Sequence, residues 1–317
     1  MRYSIFLPVM PTKLEQLLPF AGLAQWSRAE RIWLGHNLTV DTHQVFSGIA
    51  AAGFRIPMGV GVTLTPMTHP FAAALHARSV AAISGHPFVA GFGPGAPEVQ
   101  RAVLGAPYRR PLVAMREYVT AVRDLLAGNA LDVEGDYIVG RLRLPVVATS
   151  PVEVGLGVLR PGMAKLAGEV ADVAITWLTP ARYVHDVLLP AMRKGAAEAS
   201  RPCPRMVVII PVCCTESGRD VAEVVQATCG LHLAAPHYRT MLLQAGIEVA
   251  ASNPAVTAER LLSGGAFLAG TADELAGQAA EFAAAGVDEL VLNLSGVQDR
   301  YGTRATLADL ATILSVE

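Results

Sequence analysis

Short apolar runs alternate along the chain with longer segments in which apolar residues recur at helical spacing. A run of roughly four to eight apolar residues between glycine, proline or polar residues is typical of a strand that is buried on both faces. Apolar residues three to four positions apart are typical of a helix. The sequence predicts eight strands in this way: Tyr3–Leu7, Arg31–Leu34, Arg55–Val62, Phe88–Phe92, Val152–Val158, Val173–Ile175, Met206–Cys213 and Glu289–Leu292.

Helical segments separate these strands. In the last of them, Thr271 and Glu274 have the spacing of a capping box, and Gly286 provides a stop signal after the helix. The segments with the clearest helical spacing are Pro70–Ile83, Pro111–Leu126, Gly162–Ala171, Ala181–Ala199 and Thr271–Ala285.

Eight strands with intervening helices predict an α/β protein with the closed (β/α)8 architecture of a TIM barrel. A length of 317 residues alone would also allow two domains. No Ser/Gly-rich or Pro-rich linker divides the chain, so we predict one domain over residues 1–317. Two stretches interrupt the repeat, and we interpret both as insertions on the barrel. Glycines and a proline in residues 129–150 favour a small hairpin, whereas residues 230–267 have a mainly helical pattern.

Composition supports a large buried core and narrows the partners. Apolar residues form 52% of the chain, 16% of its residues are charged, and the net charge is −2. This balance lacks the positive charge that neutralises a nucleic-acid backbone. Prolines, glycines and arginines interrupt each apolar stretch before the ~18 residues that suggest a membrane span. The start, MRYSIFLPVM, resembles a strand more than a signal peptide, so we expect a cytoplasmic protein.

The four cysteines lack the CxxC spacing of zinc and redox sites. Two of them are adjacent and would point to opposite faces of a strand. We expect ordinary thiols in a reducing compartment. They are Cys203, Cys213, Cys214 and Cys229.

Glycines gather at the carboxyl ends of the third and fourth predicted strands. The third strand ends in GVGVT, residues 59–63, and the fourth runs into GFGPG, residues 91–95. Glycine removes a side chain where a ligand or another backbone must approach closely. The carboxyl ends of barrel strands form the catalytic face. We therefore predict a binding site there.

Residues 91–96 also match the dinucleotide pattern GxGxxG/A by spacing. That interpretation requires a helix to begin at once and an acidic residue to end the next strand about 20 residues later. Glu117 lies there, but within MREYVTAVRDLL, whose apolar spacing is helical. This disfavours a Rossmann domain. A tight turn that needs positive φ at the glycines is a plainer alternative.

A third glycine-bearing strand end leads directly into a helix. Its sequence is GLGVLRPG, residues 155–162. Proline is favoured at the first helical position, and the free N–H groups of a first turn bind anions. Arg160 and Lys165 add positive charge, which favours a cofactor phosphate as the guest. A helix start with a solvated arginine explains this segment equally well.

Among the eight histidines, His36 is the best placed for proton transfer. It follows the second strand by two residues, where a side chain would project from the catalytic face, and imidazole titrates near neutrality. A surface or hydrogen-bonded structural role is the alternative for any single histidine. His69 and His86 precede prolines and are interpreted as turn residues. We predict no metal site, since HExxH and Cys/His clusters are absent from the sequence.

Several segments, in this order, resemble the bacterial luciferase-like superfamily and, within it, the coenzyme F420-dependent branch typified by methylenetetrahydromethanopterin reductases. MRYSIFLP resembles the family's first strand, and GVGVTLTPMTHP its third strand and the following helix start. GFGPG followed by RRPLVAMREYVTAVRDLLAG is similar to the pattern of that branch. The phosphate-side and closing units resemble VGLGVLRPGMAKLAGEVADVAITWLTP and FLAGTADELAGQAAEFAAAGVDELVLNLSG.

The resemblance covers most of the chain and implies a TIM barrel with F420, or alternatively FMN, at its carboxyl-terminal face. It also implies a non-prolyl cis peptide bond between Gly61 and Val62, with its backbone against the ring system. His36 is the catalytic residue that this comparison implies. The implied cofactor-binding residues are Gly61, Val62, Thr63, Gly91, Gly93, Pro94, Gly95, Gly157, Leu159, Arg160, Pro161, Gly162 and Trp177.

Two positions depart from the family pattern. Members often carry an Asp-His pair after the second strand, where this chain has Gly35 and His36, and an acidic residue after the glycine loop, where Ala96 stands. His36 therefore lacks one carboxylate partner. This disfavours alcohol oxidation by a His–Glu pair and favours reduction of an activated C=C or C=N bond, such as dehydroalanine in a ribosomal peptide.

Two alternatives remain within this resemblance. The chain would be an FMN-dependent luciferase-like monooxygenase, or a non-catalytic barrel subunit. We expect a small-molecule or modified-peptide substrate, for which the insertion at residues 230–267 could provide room. We also expect a homodimer, with the apolar second to fourth βα segments as its surface.

Overall fold

A computed structural model describes residues 1–215, 218–249 and 253–315. All eight predicted strands are present, with bounds shifted by a few residues at most. The strands are β1 Arg2–Phe6, β2 Ile32–Leu34, β3 Met58–Leu64, β4 Phe88–Gly93, β5 Ala130–Glu134, β6 Val139–Arg143, β7 Val152–Gly157, β8 Val173–Trp177, β9 Arg205–Cys214, β10 Leu268–Gly270 and β11 Glu289–Asn293.

All five predicted helices are also present, although a π-helical turn, Val184–Leu188, interrupts the one predicted over Ala181–Ala199. Among the described residues, no helix combines the length and the apolar character that crossing a membrane requires. The helices are α1 Leu18–Gln25, α2 Thr42–Ala51, α3 Pro70–Ser84, α4 Pro97–Leu104, α5 Pro111–Leu126, α6 Pro161–Val170, α7 Ala181–Tyr183, α8 Leu189–Glu198, α9 Val221–Ala234, α10 Pro236–Gln244, α11 Pro254–Ser263, α12 Ala272–Ala284 and α13 Ser295–Ser315.

The ends of α12 confirm the predicted capping signals. The Thr271 hydroxyl accepts a hydrogen bond from the Glu274 N–H at 3.3 Å, and the Glu274 carboxylate accepts one from the Thr271 N–H at 2.8 Å. Gly286 follows the helix with a φ of +91°, a conformation that favours glycine. The reciprocal bonds satisfy N–H groups that a helix start otherwise leaves unpaired.

Strand pairing gives the predicted closed barrel. The hydrogen-bonded order is β9-β11-β1-β2-β3-β4-β7-β8, and β8 pairs in turn with β9, so that eight strands complete a ring. The short strand β10 pairs in parallel with β9 outside this ring. The fold is therefore a (β/α)8 TIM barrel.

Both predicted insertions have the expected local structure. Within residues 129–150, β5 and β6 form an antiparallel hairpin in which Ala130 pairs with Arg143. Within residues 230–267, α10 and α11 follow the end of α9, while residues 250–252 lie outside the described residues. The tip of the hairpin lines a cavity.

By packing, the chain forms two compact units. The first comprises residues 1–33, 176–190 and 205–317, and the second comprises residues 34–175 and 191–204. The prediction of one domain over residues 1–317 stays a prediction. Each unit has a buried apolar core, represented by Phe20, Ile209, Phe267 and Leu290 in the first unit and by Phe46, Val89, Phe92 and Met115 in the second.

In the first unit, a buried carboxylate joins the beginnings of several strands. Glu289, the first residue of β11, is fully buried and accepts hydrogen bonds from the Ser4 hydroxyl at 2.6 Å and the Trp33 indole N–H at 2.7 Å. Arg31 Nε lies 3.2 Å from its Oε1, and Arg205 donates to its Oε2 at 3.3 Å. We call these five residues the Glu289 network. Two guanidinium groups and two neutral donors compensate the burial of one carboxylate.

The cysteines form no disulfide. Cys203 is exposed, and the other three are buried. Burial raises the pKa of the Cys213 and Cys229 thiols. Since the thiolate is the reactive form, these two side chains are unreactive at neutral pH, as expected of ordinary thiols.

Candidate functional site

The carboxyl end of β3, in the second unit, has an irregular backbone. The Gly61–Val62 peptide bond is cis, which confirms the prediction. Val60 pairs with Ala90 on β4, whereas Thr63 pairs with Phe92, so two residues of β3 lie opposite one residue of β4. This is a β-bulge, a feature that often lies next to active sites.

Glycines on the neighbouring strands make room for this bulge. A Cβ at Gly91 would collide with the Val60 carbonyl oxygen. A Cβ at Gly93 would lie 2.7 Å from a Val62 methyl group, and one at Gly157 would lie 3.3 Å from another. At these three positions, the glycines therefore make room for other residues of the same chain, namely Val60 and Val62. Contact of these glycines with a cofactor stays a prediction.

The glycine loop after β4 is held by a residue that the sequence reasoning missed. The buried Gln100 side chain, on α4, donates hydrogen bonds to the carbonyl oxygens of Pro94 at 3.0 Å and Gly95 at 2.9 Å. Its own oxygen accepts from the Tyr108 N–H at 2.8 Å. Gly95 has a φ of +68°, which explains the glycine there. A polar residue in a short helix gives only a weak sequence signal for such a role.

The start of α6 has the helix-start geometry that the sequence predicts, and binding of an anion there stays a prediction. Arg160 is the extended N-cap, Pro161 is the first helical residue, and Gly162 is exposed. The Arg160 carbonyl oxygen already accepts from the next two N–H groups, those of Met163 and Ala164, each at 3.1 Å. This leaves the Gly162 N–H and the Arg160 guanidinium as the groups for an anion.

Lys165 does not add positive charge at this helix start, contrary to the sequence interpretation. Its ammonium group lies 2.7 Å from a Glu169 oxygen and 2.5 Å from a Glu198 oxygen. The hydrogen bonds to these two carboxylates raise the pKa of Lys165. Two opposite charges at this range neutralise the lysine, so Arg160 alone provides the cation.

His36 lies where the sequence predicts, just beyond β2. Its Nε2 is 3.1 Å from the Met67 sulfur, on the turn that follows β3, so the histidine is next to the irregular strand end. Burial lowers the pKa of His36, the nearby Asp41 carboxylate opposes this change, and His43 acts in the same direction as burial. The imidazole is therefore largely neutral at pH 7.

Asp41 is a carboxylate near His36 that the comparison of motifs missed. It caps α2 by accepting from the N–H groups of His43 at 2.9 Å and Gln44 at 3.0 Å. Its contact with the His43 side chain is the main reason why the pKa of Asp41 is well below its usual range. An aspartate five residues after His36, immediately before a helical segment, is the signal that could have found it.

Trp177, the last residue of β8, belongs to the first unit. Its ring stacks on that of His232, with centroids 3.7 Å apart, and Tyr238 meets both rings edge-on. We call these three residues the Trp177 cluster. Burial lowers the pKa of His232 to about 4, and its Nδ1 has no hydrogen-bond partner among the described residues. The prediction that Trp177 contacts a cofactor stays a prediction.

The strand ends of the second unit fit a phosphorylated flavin-type cofactor. The predicted contact residues there include no acidic side chain, and Arg160 lies at a helix start with a free N–H. The half-buried Gly61 and Val62 offer backbone and one apolar side chain beside the buried Thr63 hydroxyl. A flat ring with polar edges needs such a surface, and its phosphate needs such a cation.

A closed parallel barrel with an irregular backbone at a strand end is the architecture of a TIM-barrel enzyme. Comparison with known families identifies the family to which this chain belongs. Residues 1–289 match the model of the luciferase-like monooxygenase family, and the chain belongs to that family.

Two relatives are similar in sequence over part of their length. A 5,10-methylenetetrahydromethanopterin reductase of Methanolobus tindarius is 30% identical over 214 residues, which cover 66% of this chain and 63% of that protein. An F420-dependent glucose-6-phosphate dehydrogenase of Nakamurella multipartita is 28% identical over 196 residues, 58% of this chain and 48% of that protein. The chain thus spans about half to two thirds of the length of the curated relatives that it matches.

Solved structures agree on the fold. The coenzyme F420-dependent tetrahydromethanopterin reductase of Methanopyrus kandleri has a TM-score of 0.75 at 18% identity, covering 99% of this chain and 97% of that one. The oxygenating constituent of 3,6-diketocamphane monooxygenase from Pseudomonas putida, solved with FMN, also has a TM-score of 0.75, at 16% identity and the same coverage of both chains.

Proposed function

We propose that this protein is an F420-dependent oxidoreductase that transfers a hydride from the reduced deazaflavin to an activated C=C or C=N bond. The observation that carries the proposal is the β-bulge at the end of β3, which is flanked by Gly91, Gly93 and Gly157. The relative named as an F420-dependent glucose-6-phosphate dehydrogenase supports a deazaflavin, and the FMN-bound neighbour supports a flavin of some kind. Dehydroalanine in a modified peptide is an example of the substrate class.

In this proposal, the residues of the chain bind the cofactor and orient the substrate. Val62, Thr63 and the backbone of Gly61 would hold the ring. Arg160 and the Gly162 N–H hold the phosphate. When bound, reduced F420 supplies a hydride. Holding a substrate carbon against the ring replaces an encounter between two free molecules, which is a large part of the rate enhancement.

His36 is the proposed proton donor. Reduction of a C=C bond adds a hydride to one carbon and a proton to the other. Because burial lowers the pKa of His36, only a minor fraction of the protein carries this proton at pH 7. Turnover that depends on His36 as an acid therefore rises as the pH falls below 6.5.

An anaerobic reaction tests the proposal. The purified protein is mixed with reduced F420, deuterated at its hydride position, and with N-acetyl-dehydroalanine amide as the probe. The expected products are oxidised F420 and N-acetylalanine amide with one deuterium on its β-carbon. Arg160→Gln should raise the F420 concentration needed for half-maximal rate, whereas the control Arg101→Gln should not. Probe reduction without deuterium transfer would contradict the mechanism.

A luciferase-like monooxygenase that uses reduced FMN is the second candidate. The family's name and the FMN-bound structural neighbour favour it. Oxygen uptake separates the two candidates, because only the monooxygenase consumes dioxygen in step with reduced FMN and substrate. Uptake with reduced FMN, together with no reaction of reduced F420, would select the second candidate.

We also propose that the protein is a homodimer. Helix α3, in the second to fourth βα segments, carries the exposed apolar side chains Leu75 and Ile83. Their burial against a second copy would remove apolar area from water. Light scattering should give twice the mass of the chain, and a monomer at micromolar concentration would contradict this proposal.

A further inference from the structure

A cavity of about 750 Å³ lies in the second unit beside the end of β3. Its walls are the turn after β3, the segment between α4 and α5, and the tip of the β5–β6 hairpin. A volume of this size is typical of small-molecule sites. We call it the tyrosine cavity, after Tyr108, Tyr118 and Tyr137, which line it together with Arg109 and Arg110.

Aromatic rings form much of the wall. Tyr108 and Tyr137 meet edge to face, with centroids 5.3 Å apart. The Tyr118 hydroxyl donates to the Thr68 carbonyl oxygen at 2.7 Å, while the Tyr137 hydroxyl accepts from the Arg110 N–H at 2.8 Å. Tyr137 therefore keeps its own hydrogen for a ligand. Rings of this kind pack against aromatic or acyl groups.

Among the charged side chains that line the cavity, one cation, Arg109, forms no ion pair in the described part of the chain. Arg110 forms an ion pair with Asp136. The Nδ1 atom of His69 accepts a hydrogen bond from the Phe71 N–H at 3.2 Å. Arg109 is exposed and has no ion-pair partner in the described part of the chain. The unpaired guanidinium favours a ligand with a negative group.

Glu117 holds the hairpin wall in place. Its carboxylate accepts from the N–H groups of Asp136 at 3.1 Å, Tyr137 at 2.8 Å and Ile138 at 3.0 Å. Gly135 leaves the space that this carboxylate occupies, because a Cβ there would collide with it. One side chain of α5 thus fixes the ring of Tyr137 before any ligand binds, which lowers the cost of ordering the wall.

The cavity and the glycine loop share a buried anchor. Gln100 holds the carbonyl oxygens of Pro94 and Gly95 and also the N–H of Tyr108. The turn that lines the cavity at Thr65 follows directly from β3 and its cis bulge. A ligand in the cavity therefore lies beside the strand ends at which the ring is proposed to bind.

We propose that the tyrosine cavity binds the non-reacting part of the substrate, and that this part is an aromatic or acyl group with one carboxylate or phosphate. The negative group pairs with Arg109, and the apolar body packs against Tyr108 and Tyr137. The inference rests on the proposed function in treating the ligand as the substrate. The binding itself needs no cofactor.

Isothermal titration without cofactor tests this inference. The probes are N-acetyl-L-phenylalanine, its neutral amide, and phenyl phosphate. We expect the acid to bind about fivefold more tightly than the amide, as for a partly exposed ion pair. Arg109→Gln should remove this difference, and the control Arg101→Gln, on the exposed face of α4, should retain it. The tighter of the two anions identifies the preferred negative group.

A second variant separates the contribution of the hairpin wall from that of the Arg109 charge. Glu117→Gln replaces one acceptor by an amide N–H that faces the hairpin N–H groups, so acid and amide should both bind more weakly while their ratio is kept. Equal affinity of acid and amide for the wild type would overturn the inference, as would no binding of any probe at millimolar concentration. Since F420 is absent, such a failure is distinct from a failure of the proposed function.

Discussion

The Glu289 network of the first unit and the carboxyl ends of β3, β4 and β7 in the second unit are organised in opposite ways. Around Glu289, hydrogen-bond donors and guanidinium groups surround one buried carboxylate. At the carboxyl ends, glycines remove side chains so that the backbone and Val62 pack closely around the cis bulge. The first region leaves no group of Glu289 for a ligand, whereas the second leaves backbone and cationic groups unused. Stability and binding are thus expected to respond to different substitutions.

The largest effect should come from Glu289→Gln. It leaves the buried Arg31 without its carboxylate, and loss of one partner of a buried pair costs about 3 kcal/mol or more. Urea denaturation should show this loss in the free energy of unfolding. Glu248→Gln is the control, since the exposed pair with Arg260 should contribute less than about 1 kcal/mol. Equal small effects of both substitutions would remove the distinction between the two regions.

Gly91→Ala should have the next largest effect. The added methyl group meets the Val60 carbonyl oxygen, and overpacking of this kind costs about 1–3 kcal/mol. Gly277→Ala, at an open position of α12, is the control and should stabilise the protein slightly. Glu289→Gln, measured where it is folded, should keep cofactor affinity, and Gly91→Ala should weaken it. An unchanged affinity of Gly91→Ala for cofactor would show that the bulge does not shape the site.

The Trp177 cluster lies at the carboxyl end of β8, in the first unit, and there we expect the stability to depend on pH. Because the pKa of His232 falls from 6.5 to about 4 on folding, protonation favours the unfolded chain. The stabilisation is complete above pH 6.5 and is lost as the pH falls toward 4. Between pH 7.5 and 4.5, the wild type should lose about 1–2 kcal/mol more than His232→Gln, allowing for partial exposure. Parallel pH curves for the two proteins would contradict the lowered pKa.

His36→Ala should have the smallest effect on stability, below about 0.5 kcal/mol, because the residue is half-buried and its side chain contacts the flexible thioether of Met67. Turnover at pH 6 should nevertheless fall by at least about tenfold and lose its rise at low pH. Steady-state rates between pH 5.5 and 8 test this. An unchanged rate and pH profile would remove His36 as the acid and leave proton supply to solvent.

Sequence predicts the repeated part of this fold well and the irregular part less well. Buried strands and capped helices have local signals, which is why all eight strands and the Thr271–Glu274 box were found. Gln100 and Glu117 act through contacts with loop and hairpin segments, and periodicity carries no information on those. Asp41 has a local capping signal, which periodicity also does not detect. Lys165 shows the same limit only in part, since its partner Glu198 is far along the chain but Glu169 is four residues away on the same helix.

Comparative titration with F420 and FMN tests the central claim most directly. The purified protein should bind F420 saturably and more tightly than FMN, and Arg160→Gln should weaken F420 binding by about tenfold, as expected for loss of a charge-assisted contact to phosphate. Arg101→Gln should bind F420 like the wild type. Absence of F420 binding together with tight FMN binding would contradict the account.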